Sequence, residues 1–526
     1  MSSHPVIPTP VDAEDERPPS LRRGMWMRFL IAAVLIVALS GAATATVALN
    51  TVSDIAHEVF PKLNEIHAPK GVVAPVYSGG PQTFLILGSD KRAHSKDRFD
   101  RSDPPHSDTM LLVRFDPNQN QTSVLSIPRD LLVSFSTEDG KYYPNQKINA
   151  AYTIGSQMKG NDGGARLAAE TIKKQLPGLQ LNGIVDVTFS GFINVVDTLG
   201  CAFVNVDHRY FNQNLGTVAT DYTSIDLQPG YQKLCYQNAL SYVRYRHTDS
   251  DLVRVARQQD FMRALRQQIS PGNVLGQIHT VAKAVGRAIS TSFPPSSSQL
   301  IVLAKLVAFS QSKPLRQVKF KTANINFQLG GGSYVTTTPA LARATLDDFL
   351  HGAQKVSLPS SQAYAHRART KKSRHSNASS AAALGLFPTG SVGESQAVTA
   401  SVDVPFRVLY PSLRTGPAVQ QQVRAYTLKD EHNHPHHAYV VVWKQNNQGG
   451  YYDLQGTDWL NPPLVAHPDA TRKIGSRTYL IFSDGSHIHT LAWHQGRVLY
   501  WLNNTLLEDL SNGQMLAIAR SAQLLH

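Results

Sequence analysis

The chain has little cysteine: Cys201 and Cys235 are the only two among 526 residues. No CxxC motif and no cysteine spacing typical of a metal site is present, which argues against a cysteine-ligated metal centre. An even cysteine count in an exported chain favours one disulfide, which would close a loop of about 34 residues and stabilise the fold by about 3–4 kcal/mol. Two separate buried thiols are the alternative.

The sequence also lacks an internal repeat and a helix-turn-helix or other recognisable nucleic-acid-binding motif. Its length suffices for two or three domains, and its 42% hydrophobic and 17% charged residues are ordinary for a folded protein. The net charge of +13 favours anionic partners, which include nucleic acid, phospholipid headgroups and phosphate-bearing substrates. Composition does not choose among these partners, whereas cellular location does.

Residues near the N-terminus indicate the cellular location of the protein. About 21 uncharged and mostly apolar residues (29–49) match the length of a helix that spans a bilayer. Four arginines precede this run and two acidic residues follow it: Arg17, Arg22, Arg23, Arg28, Asp54 and Glu58. The positive-inside rule therefore predicts a disordered cytoplasmic tail over 1–25, a single membrane anchor over 26–49 and an extracytoplasmic remainder. The alternative is a signal peptide cleaved after 43–45, which would export the bulk of the protein equally.

The first globular domain is predicted over 82–356, after a short stalk at 50–80. Apolar runs predict buried strands, and segments with helical periodicity predict helices. The predicted strands are Thr83–Leu87, Thr109–Phe115, Thr122–Ile127 and Val185–Phe189, and the predicted helices include Gly164–Gln175, Gly191–Leu199 and Leu252–Ile269. Strands mixed with helices indicate an α/β or α+β sandwich around a central sheet.

Residues 357–397 are rich in serine, alanine and basic residues, which predicts a linker. In 398–526, alternating apolar and polar residues predict a smaller, mainly β domain of unknown role that ends in a helix. Four histidines cluster in this domain, at His432, His434, His436 and His437. Because Pro435 interrupts them, a hairpin loop is the favoured interpretation and a metal site the minor one.

Charged residues stand at the tips of three strands predicted in the first domain. Asp90 follows the first strand, Asp108 precedes the second and Arg129 follows the third. If the first two strands are neighbours, both carboxylates meet at one edge of the sheet, where they suit Mg²⁺ together with phosphate oxygens. The alternative is a structural role for each residue. A single aspartate at such a position is typical of a turn, and Arg129 would form a surface salt bridge with Asp130.

A second set of cations lies downstream, in 242–259. Arg244 and Arg246 precede a predicted helix, and spacings of three and four place three further polar residues on one face of it: Arg254, Arg257 and Gln258. Lys147 adds another cation. Arginines bind phosphate through paired N–H donors, and several together can hold a pyrophosphate. A solvated basic face is the alternative for any one of them.

Segments between about 82 and 268 resemble the LytR-CpsA-Psr family: LGSDKR, SDTMLLVRFDP, SVLSIPRDLLV, KINAAYTIG, GFINVVDTLG and LQPGYQKLCYQNALSYVRYRHTDSDLVRVARQQ. The resemblance implies an α-β-α sandwich with a central mixed sheet, in a membrane-anchored extracytoplasmic enzyme. Such enzymes transfer a glycopolymer from a polyprenyl-pyrophosphate carrier to peptidoglycan through a phosphodiester. A teichoic acid, an arabinogalactan-like glycan and a capsule all remain open as the polymer.

Carried over residue by residue, the resemblance implies that Asp90 and Asp108 hold Mg²⁺ or Mn²⁺. Arg129 is implied in both pyrophosphate binding and catalysis. The mechanism that we expect from these roles adds that Asp90 or Asp108 accepts the proton of the attacking hydroxyl. The remaining pyrophosphate ligands would be Lys147, Arg244, Arg246, Arg257 and Gln258. The apolar interior beneath the site would accept the polyprenyl chain.

His106 departs from the family's pattern, since many relatives have arginine two residues before the second aspartate. Either Arg98 or Arg101 substitutes for it, or the pocket is less cationic there. The domain at 398–526 also lacks the pattern of the accessory domain that many relatives carry. Three other functions stay open: a DNA-binding regulator, a non-enzymatic binder of lipid-linked envelope polymers, and a polyprenyl-pyrophosphate hydrolase. The predicted export and the missing recognition motif argue against a nucleic-acid partner.

Overall fold

A computed structural model describes residues 64–67, 71–76, 79–89, 105–213, 224–245, 249–268, 289–292, 315–352, 381–446 and 450–525. The predicted cytoplasmic tail (1–25) and membrane anchor (26–49) lie outside these residues, as does most of the predicted stalk (50–80). Within the described part of the chain, no helix is long and apolar enough to cross a membrane.

The first domain alternates strands and helices along the chain. Its strands are β1 (Asn64–Glu65), β2 (Gln82–Ser89), β3 (Ser107–Asp116), β4 (Gln121–Ser126), β5 (Leu132–Ser136), β6 (Tyr142–Lys147), β7 (Gly183–Thr188), β8 (Ala202–Val206), β9 (Tyr210–Asn212), β10 (Ile225–Leu227), β11 (Gly230–Leu234), β12 (Ile289–Thr291), β13 (Leu315–Val318), β14 (Asn324–Leu329) and β15 (Gly332–Thr336). Its helices are α1 (Asn149–Gln175), α2 (Phe189–Thr198), α3 (Tyr236–Arg244), α4 (Asp251–Gln268) and α5 (Pro339–His351).

A seven-stranded mixed sheet forms the centre of this domain, in the order β1-β12-β7-β2-β3-β4-β13. β3 runs antiparallel to both β2 and β4, whereas β2 and β7 are parallel. Because side chains alternate along a strand, Leu85, Leu87 and Leu112 pack with α1 and α5 on one face, and Ile86 and Leu111 lie on the other. The predicted mixed α/β fold with a central mixed sheet is confirmed.

Helix α1 begins 15 residues before the helix predicted at Gly164–Gln175, and it contains a break. The backbone leaves the helical region at Lys159 and takes a positive φ of 64° at Gly160. The two halves then touch closely, since a Cβ on Gly155 would lie 2.3 Å from the carbonyl oxygen of Gly163. Only glycine permits this approach. The first half escaped prediction because its glycines and polar residues obscure the helical periodicity.

The C-terminal part of the chain forms a second structure rich in β-strands. Its elements are β16 (Leu386–Pro388), α6 (Ser391–Ser401), β17 (Leu409–Pro411), β18 (Leu413–Thr415), β19 (Val419–Lys429), β20 (Pro435–Lys444), β21 (Tyr451–Thr457), a short 3₁₀ helix (Pro463–Val465), β22 (Ala470–Ile474), β23 (Arg477–Asp484), β24 (His487–Gln495), β25 (Val498–Asn503), α7 (Asn512–Ser521) and β26 (Ala522–Leu524). Seven strands pair in the order β19-β20-β21-β25-β24-β23-β22 and are all antiparallel. The predicted β-rich region with a terminal helix is confirmed.

The predicted linker at 357–397 differs from the structure in its last part. Residues 381–397 are folded, and β16 pairs with β18. Ala381, Leu386 and Ala397 are buried in the C-terminal core. The Ser-, Ala- and basic-rich composition of 357–397 as a whole assigned these residues to a linker, whereas tertiary packing orders them.

The C-terminal sheet packs directly against the first domain. Phe203 on β8 and Tyr231 on β11 share one buried cluster with Trp459 and Trp501. Tyr231 also accepts a hydrogen bond on its hydroxyl from the backbone N–H of Leu464, at 3.1 Å. The described residues from Asn64 onwards accordingly belong to one structural unit. A disulfide between Cys201 and Cys235 ties the start of β8 to the start of α3.

Candidate functional site

Asp108 occupies a β-bulge where β2 and β3 end together. Gly88 pairs with Thr109 and Ser89 with Ser107, so Asp108 is the extra residue on β3. The strands are close here, because a Cβ on Gly88 would lie 3.0 Å from Thr109 Cβ. A bulge re-aims the side chain that it carries. Asp90 lies outside the described residues, although it directly follows Ser89 at this edge of the sheet.

Arg129 reaches Asp108 from the turn that follows β4. Its Nη1 donates a hydrogen bond to Asp108 Oδ1, and its Nε lies 3.5 Å from Asp130 Oδ1 and 3.9 Å from Asp251 Oδ1. About a fifth of each side chain of the Asp108–Arg129 pair is exposed, at 22% and 19%. The pair therefore lies at a partly open surface rather than in the core.

Arg254 reaches the same place from α4. Its Nη2 donates a hydrogen bond to the backbone carbonyl of Asp108 at 3.2 Å and lies 2.6 Å from Asp251 Oδ1. Burial and the like charge of Arg129 lower the pKa of Arg254, although Asp251 opposes this shift. Two guanidinium groups are thus held close together at the strand ends, among the carboxylates of Asp108, Asp130 and Asp251.

Asp108 is ionised in this setting. Burial would raise the pKa of its carboxyl group, but the charges of Arg129, Arg254 and Arg244 outweigh burial and hold the pKa below its usual value. Arg244 also lies over the ring of Phe189, with 4.0 Å from guanidinium carbon to ring centroid. The structure therefore brings together Asp108 and three arginines from three separate segments of the chain.

Lys147 joins the site through Asp130. Its Nζ lies 3.0 Å from Asp130 Oδ1, the oxygen that also faces Arg129. Lys147 ends β6 and lies 5.7 Å from the centre of the Tyr334 ring. Asp130 therefore positions two cations at one rim of the site.

Arg257 is not brought to this site. It is fully buried and donates hydrogen bonds to Tyr210 Oη at 3.2 Å, to the carbonyl of Tyr245 at 2.8 Å and to Asp249. Burial opposes its charge, yet Tyr210, Asp249 and Tyr242 hold its pKa above the usual value. In the structure, Arg257 is part of a buried network of tyrosines and a carboxylate.

Gln258 is also buried, and its Nε2 donates to the carbonyl of Val243 at 3.1 Å. Its Oε1 makes no hydrogen bond to any described residue. His106 directly precedes β3 and is partly buried. Arg246 lies outside the described residues, as do Arg98 and Arg101, so the structure does not place these three.

Asp130 and Asp251 were not predicted as site residues, whereas Arg254 was predicted on the cationic face of the helix but was not among the ligands that the resemblance implied. The sequence marks Arg254 through its spacing of three from Arg257. That spacing does not show which of the two arginines points towards the strand ends. Asp130 was considered only as a partner in a surface salt bridge. Asp251 has the i, i+3 spacing to Arg254 that ion pairs on helices prefer.

The metal site at Asp90 and Asp108 stays a prediction, since Asp90 lies outside the described residues. In the described ranges, only two groups of three neighbouring residues could ligate an ion, and neither includes Asp108. One of these groups contains Cys201 and Cys235, whose sulfurs are joined in the disulfide. The other contains Asp430 and lies on the C-terminal sheet.

The chain is similar to proteins of one known family. A model described as the LytR_cpsA_psr family matches residues 47–346, more than half of the chain. Biofilm regulatory protein A of Streptococcus mutans is 28% identical over 264 residues, which are 49% of this chain and 60% of that protein. Against the first curated relatives that it matches, the chain spans 54 to 60% of their length.

Two solved structures are similar over about half of the chain. TagT bound to LI-WTA is 21% identical with a TM-score of 0.39, over 54% of this chain and 98% of TagT. A LytR-Csp2A-Psr enzyme from Actinomyces oris is 19% identical with a TM-score of 0.38, over 55% of this chain and 95% of that enzyme.

Proposed function

The chain belongs to the LytR_cpsA_psr family, and we propose that it is a membrane-anchored, extracytoplasmic phosphotransferase. It moves a cell-wall glycopolymer from a polyprenyl-pyrophosphate carrier to peptidoglycan and leaves the polymer attached through a phosphodiester. The observation that carries this proposal is the convergence of Arg129, Arg244 and Arg254 on Asp108 at the edge of the central sheet.

The arginines supply what phosphoryl transfer needs most, which is positioning and charge stabilisation. Their N–H groups bind the pyrophosphate oxygens and reduce the repulsion that would meet an incoming hydroxyl. A sugar hydroxyl oxygen of peptidoglycan then bonds to the phosphorus attached to the glycan. The bond from that phosphorus to the bridging oxygen breaks, and polyprenyl phosphate leaves with the electron pair.

Asp108 is suited to take the hydroxyl proton once the substrate is bound. In the free protein its three arginine neighbours lower its pKa, which makes it a weak base. A bound pyrophosphate would share those cations and so raise the pKa of Asp108 towards the range of an effective proton acceptor.

Mg²⁺ or Mn²⁺ fits the donor chemistry of this edge. Asp108 Oδ1 accepts from Arg129, and no described residue donates to Asp108 Oδ2, which leaves one oxygen for a cation. Asp108 would hold the ion together with Asp90. The ion would add charge neutralisation on the pyrophosphate.

The test uses the full chain in detergent with a polyprenyl-pyrophosphate-linked glycan, peptidoglycan and Mg²⁺. Polyprenyl phosphate release and glycan attached to peptidoglycan are both followed. We expect Arg129→Ala to lower attachment by about 10²- to 10³-fold, as for other charge-stabilising donors. Arg343→Ala is the matched control, because Arg343 is exposed on α5.

Each outcome assigns a function. Attachment that is lost in Arg129→Ala and kept in Arg343→Ala supports the transferase. Release without attachment indicates the hydrolase, in which water replaces the sugar hydroxyl. If the carrier binds tightly but neither product forms, and a second donor glycan gives the same result, the protein is a non-enzymatic binder of lipid-linked polymers. Wild-type attachment by Arg129→Ala would overturn the assigned role of this site.

A further inference from the structure

Asp430 and several histidines meet at the hairpin between β19 and β20, in the C-terminal sheet. Asp430 Oδ2 lies 3.1 Å from His434 Nδ1 and 3.5 Å from His436 Nε2. Donor atoms of Asp430, His432 and His434 all lie within 4.8 Å of one another. We propose that this hairpin is a binding site for one divalent transition-metal ion of the Zn²⁺ type, held by Asp430 and these histidines.

Two donor separations, both measured from Asp430 Oδ2, suit a tetrahedral ion. Bonds of about 2.0–2.1 Å to imidazole and carboxylate place neighbouring donor atoms about 3.3 Å apart. The two separations from Asp430 Oδ2, 3.1 and 3.5 Å, fall on either side of that value. A carboxylate with imidazoles is a donor set that suits Zn²⁺, Ni²⁺ and Cu²⁺ better than Mg²⁺.

The backbone of the hairpin fixes the orientation of the Asp430 carboxylate. Its Oδ1 accepts hydrogen bonds from the backbone N–H groups of His432 and His434, both at 2.8 Å. Asn433 adopts a positive φ of 66° and completes the tight turn. Asp430 Oδ2 faces the imidazoles of His434 and His436.

The turn does not explain the environment of the His436 Nε2 atom. Its Nε2 is buried and makes no hydrogen bond to any described residue, although Asp430 Oδ2 lies 3.5 Å away. Buried polar atoms of this kind are uncommon and call for a partner. A cation between Nε2 and Oδ2 would satisfy both atoms.

The surroundings of His436 are those of a metal ligand. Its ring stacks on Trp459 with a centroid separation of 5.4 Å and an angle of 13°. Its Nδ1 faces Asp458 Oδ1 at 3.3 Å. Histidines that bind metals usually donate their second ring N–H to a carboxylate, which fixes the tautomer that leaves the other nitrogen free to ligate. Asp458 occupies the position of that carboxylate.

A proton is the competing occupant, because an imidazolium on His436 would bridge Asp430 and Asp458 without a metal.

Isothermal titration with ZnCl₂ distinguishes a bound metal ion from a bound proton. The experiment uses the full chain in detergent, without a histidine tag and after chelator treatment, at pH 7.5. We expect one Zn²⁺ per chain to bind at this hairpin. Asp458→Asn should weaken binding by about 10- to 100-fold, as other substitutions of supporting carboxylates do.

Matched variants make the result specific. His434 is 72% exposed, so His434→Ala should leave the fold intact while it weakens Zn²⁺ binding at least about tenfold. His467→Ala is the control, since His467 is an exposed histidine of the same domain, and it should bind as the wild type does. Circular dichroism checks the fold of each variant. The absence of Zn²⁺ binding by the wild type, or equal binding by wild type, His434→Ala and Asp458→Asn, would overturn the proposal.

Discussion

Arg263 and Asp484 form a buried ion pair between α4 and the C-terminal sheet, with Nη2 3.0 Å from Oδ2. Asp484 Oδ1 also accepts a hydrogen bond from the backbone N–H of Gln317, at 2.6 Å. One turn earlier on α4, Asp260 Oδ1 lies 3.0 Å from His489 Nε2. The helix that presents Arg254 to the candidate site is therefore fixed on its C-terminal half by the second domain.

Arg263→Ala is expected to destabilise the protein. Removal of the cation leaves Asp484 buried without its ion-pair partner, and breaking such a pair costs about 3–5 kcal/mol. Burial already raises the pKa of Asp484 against the influence of Arg263. The free energy of unfolding in urea measures the loss, and Arg472→Ala, which removes an exposed arginine on β22, should change it by about 0.5 kcal/mol or less. Equal stability of the two variants would show that Asp484 is neutral in the native protein.

We expect activity to need the forked N–H donors of Arg254 and not only its positive charge. Arg254→Ala is expected to reduce kcat/KM of glycan attachment by about 10²- to 10³-fold, because a donor aimed at the phosphates is lost. Arg254→Lys keeps the charge but removes the forked pair of donors, so it should recover only part of the activity. Arg343→Ala serves again as the control. Full activity of Arg254→Lys would mean that the site needs only a point charge there.

Arg257 should behave differently from Arg254, although the two are three residues apart. Arg257→Ala leaves Asp249 and two backbone carbonyls without their buried donor, so we expect a loss of stability of about 3–5 kcal/mol. In protein that remains folded at low temperature, KM for the lipid-linked donor should stay near the wild-type value. A large rise in KM with unchanged thermal stability would instead place Arg257 at the substrate.

The contrast between these arginines marks the limit of prediction from the sequence. Strand β4, predicted at Thr122–Ile127 and observed at Gln121–Ser126, was predicted to within a residue because the hydrophobic pattern of a buried strand decides its position. Helical spacing placed Arg254 and Arg257 on one face, but α4 is buried nearly all round, so spacing could not tell the arginine that contacts Asp108 from the one buried among tyrosines. That distinction depends on which tyrosines and carboxylates other segments bring to α4, which is tertiary information. The folded residues 381–397 were missed for the same reason.

The stability of the protein should depend on pH through Asp453. This residue on β21 is fully buried and accepts hydrogen bonds from three side chains: Asn205, Gln455 and Asn503. Burial raises the pKa of Asp453 to about 7, and the hydrogen bonds offset burial only in part. Asn205 belongs to β8, so this carboxyl group lies where the two domains meet.

The sign of the effect follows from the proton count. The folded protein retains the Asp453 proton up to about pH 7, whereas the unfolded chain releases it near pH ~3.9. Between these values the folded state binds more protons, so the free energy of unfolding should fall as the pH rises, by at most about 1.4 kcal/mol per pH unit from this group. Glu508, whose pKa burial and Asp484 raise to about 8, acts in the same direction.

Urea unfolding at pH 5, 6, 7 and 8 measures this dependence. Asp453→Asn cannot ionise, so its free energy of unfolding should fall less steeply over that range than that of the wild type. At pH 5 the variant should be less stable than the wild type, because its amide presents an N–H₂ group towards donors such as Asn205 Nδ2. Asp403→Asn, at an exposed aspartate, should keep the wild-type slope. If Asp453→Asn also keeps that slope, Asp453 is already ionised in the native protein, and the domain contact tolerates a buried charge.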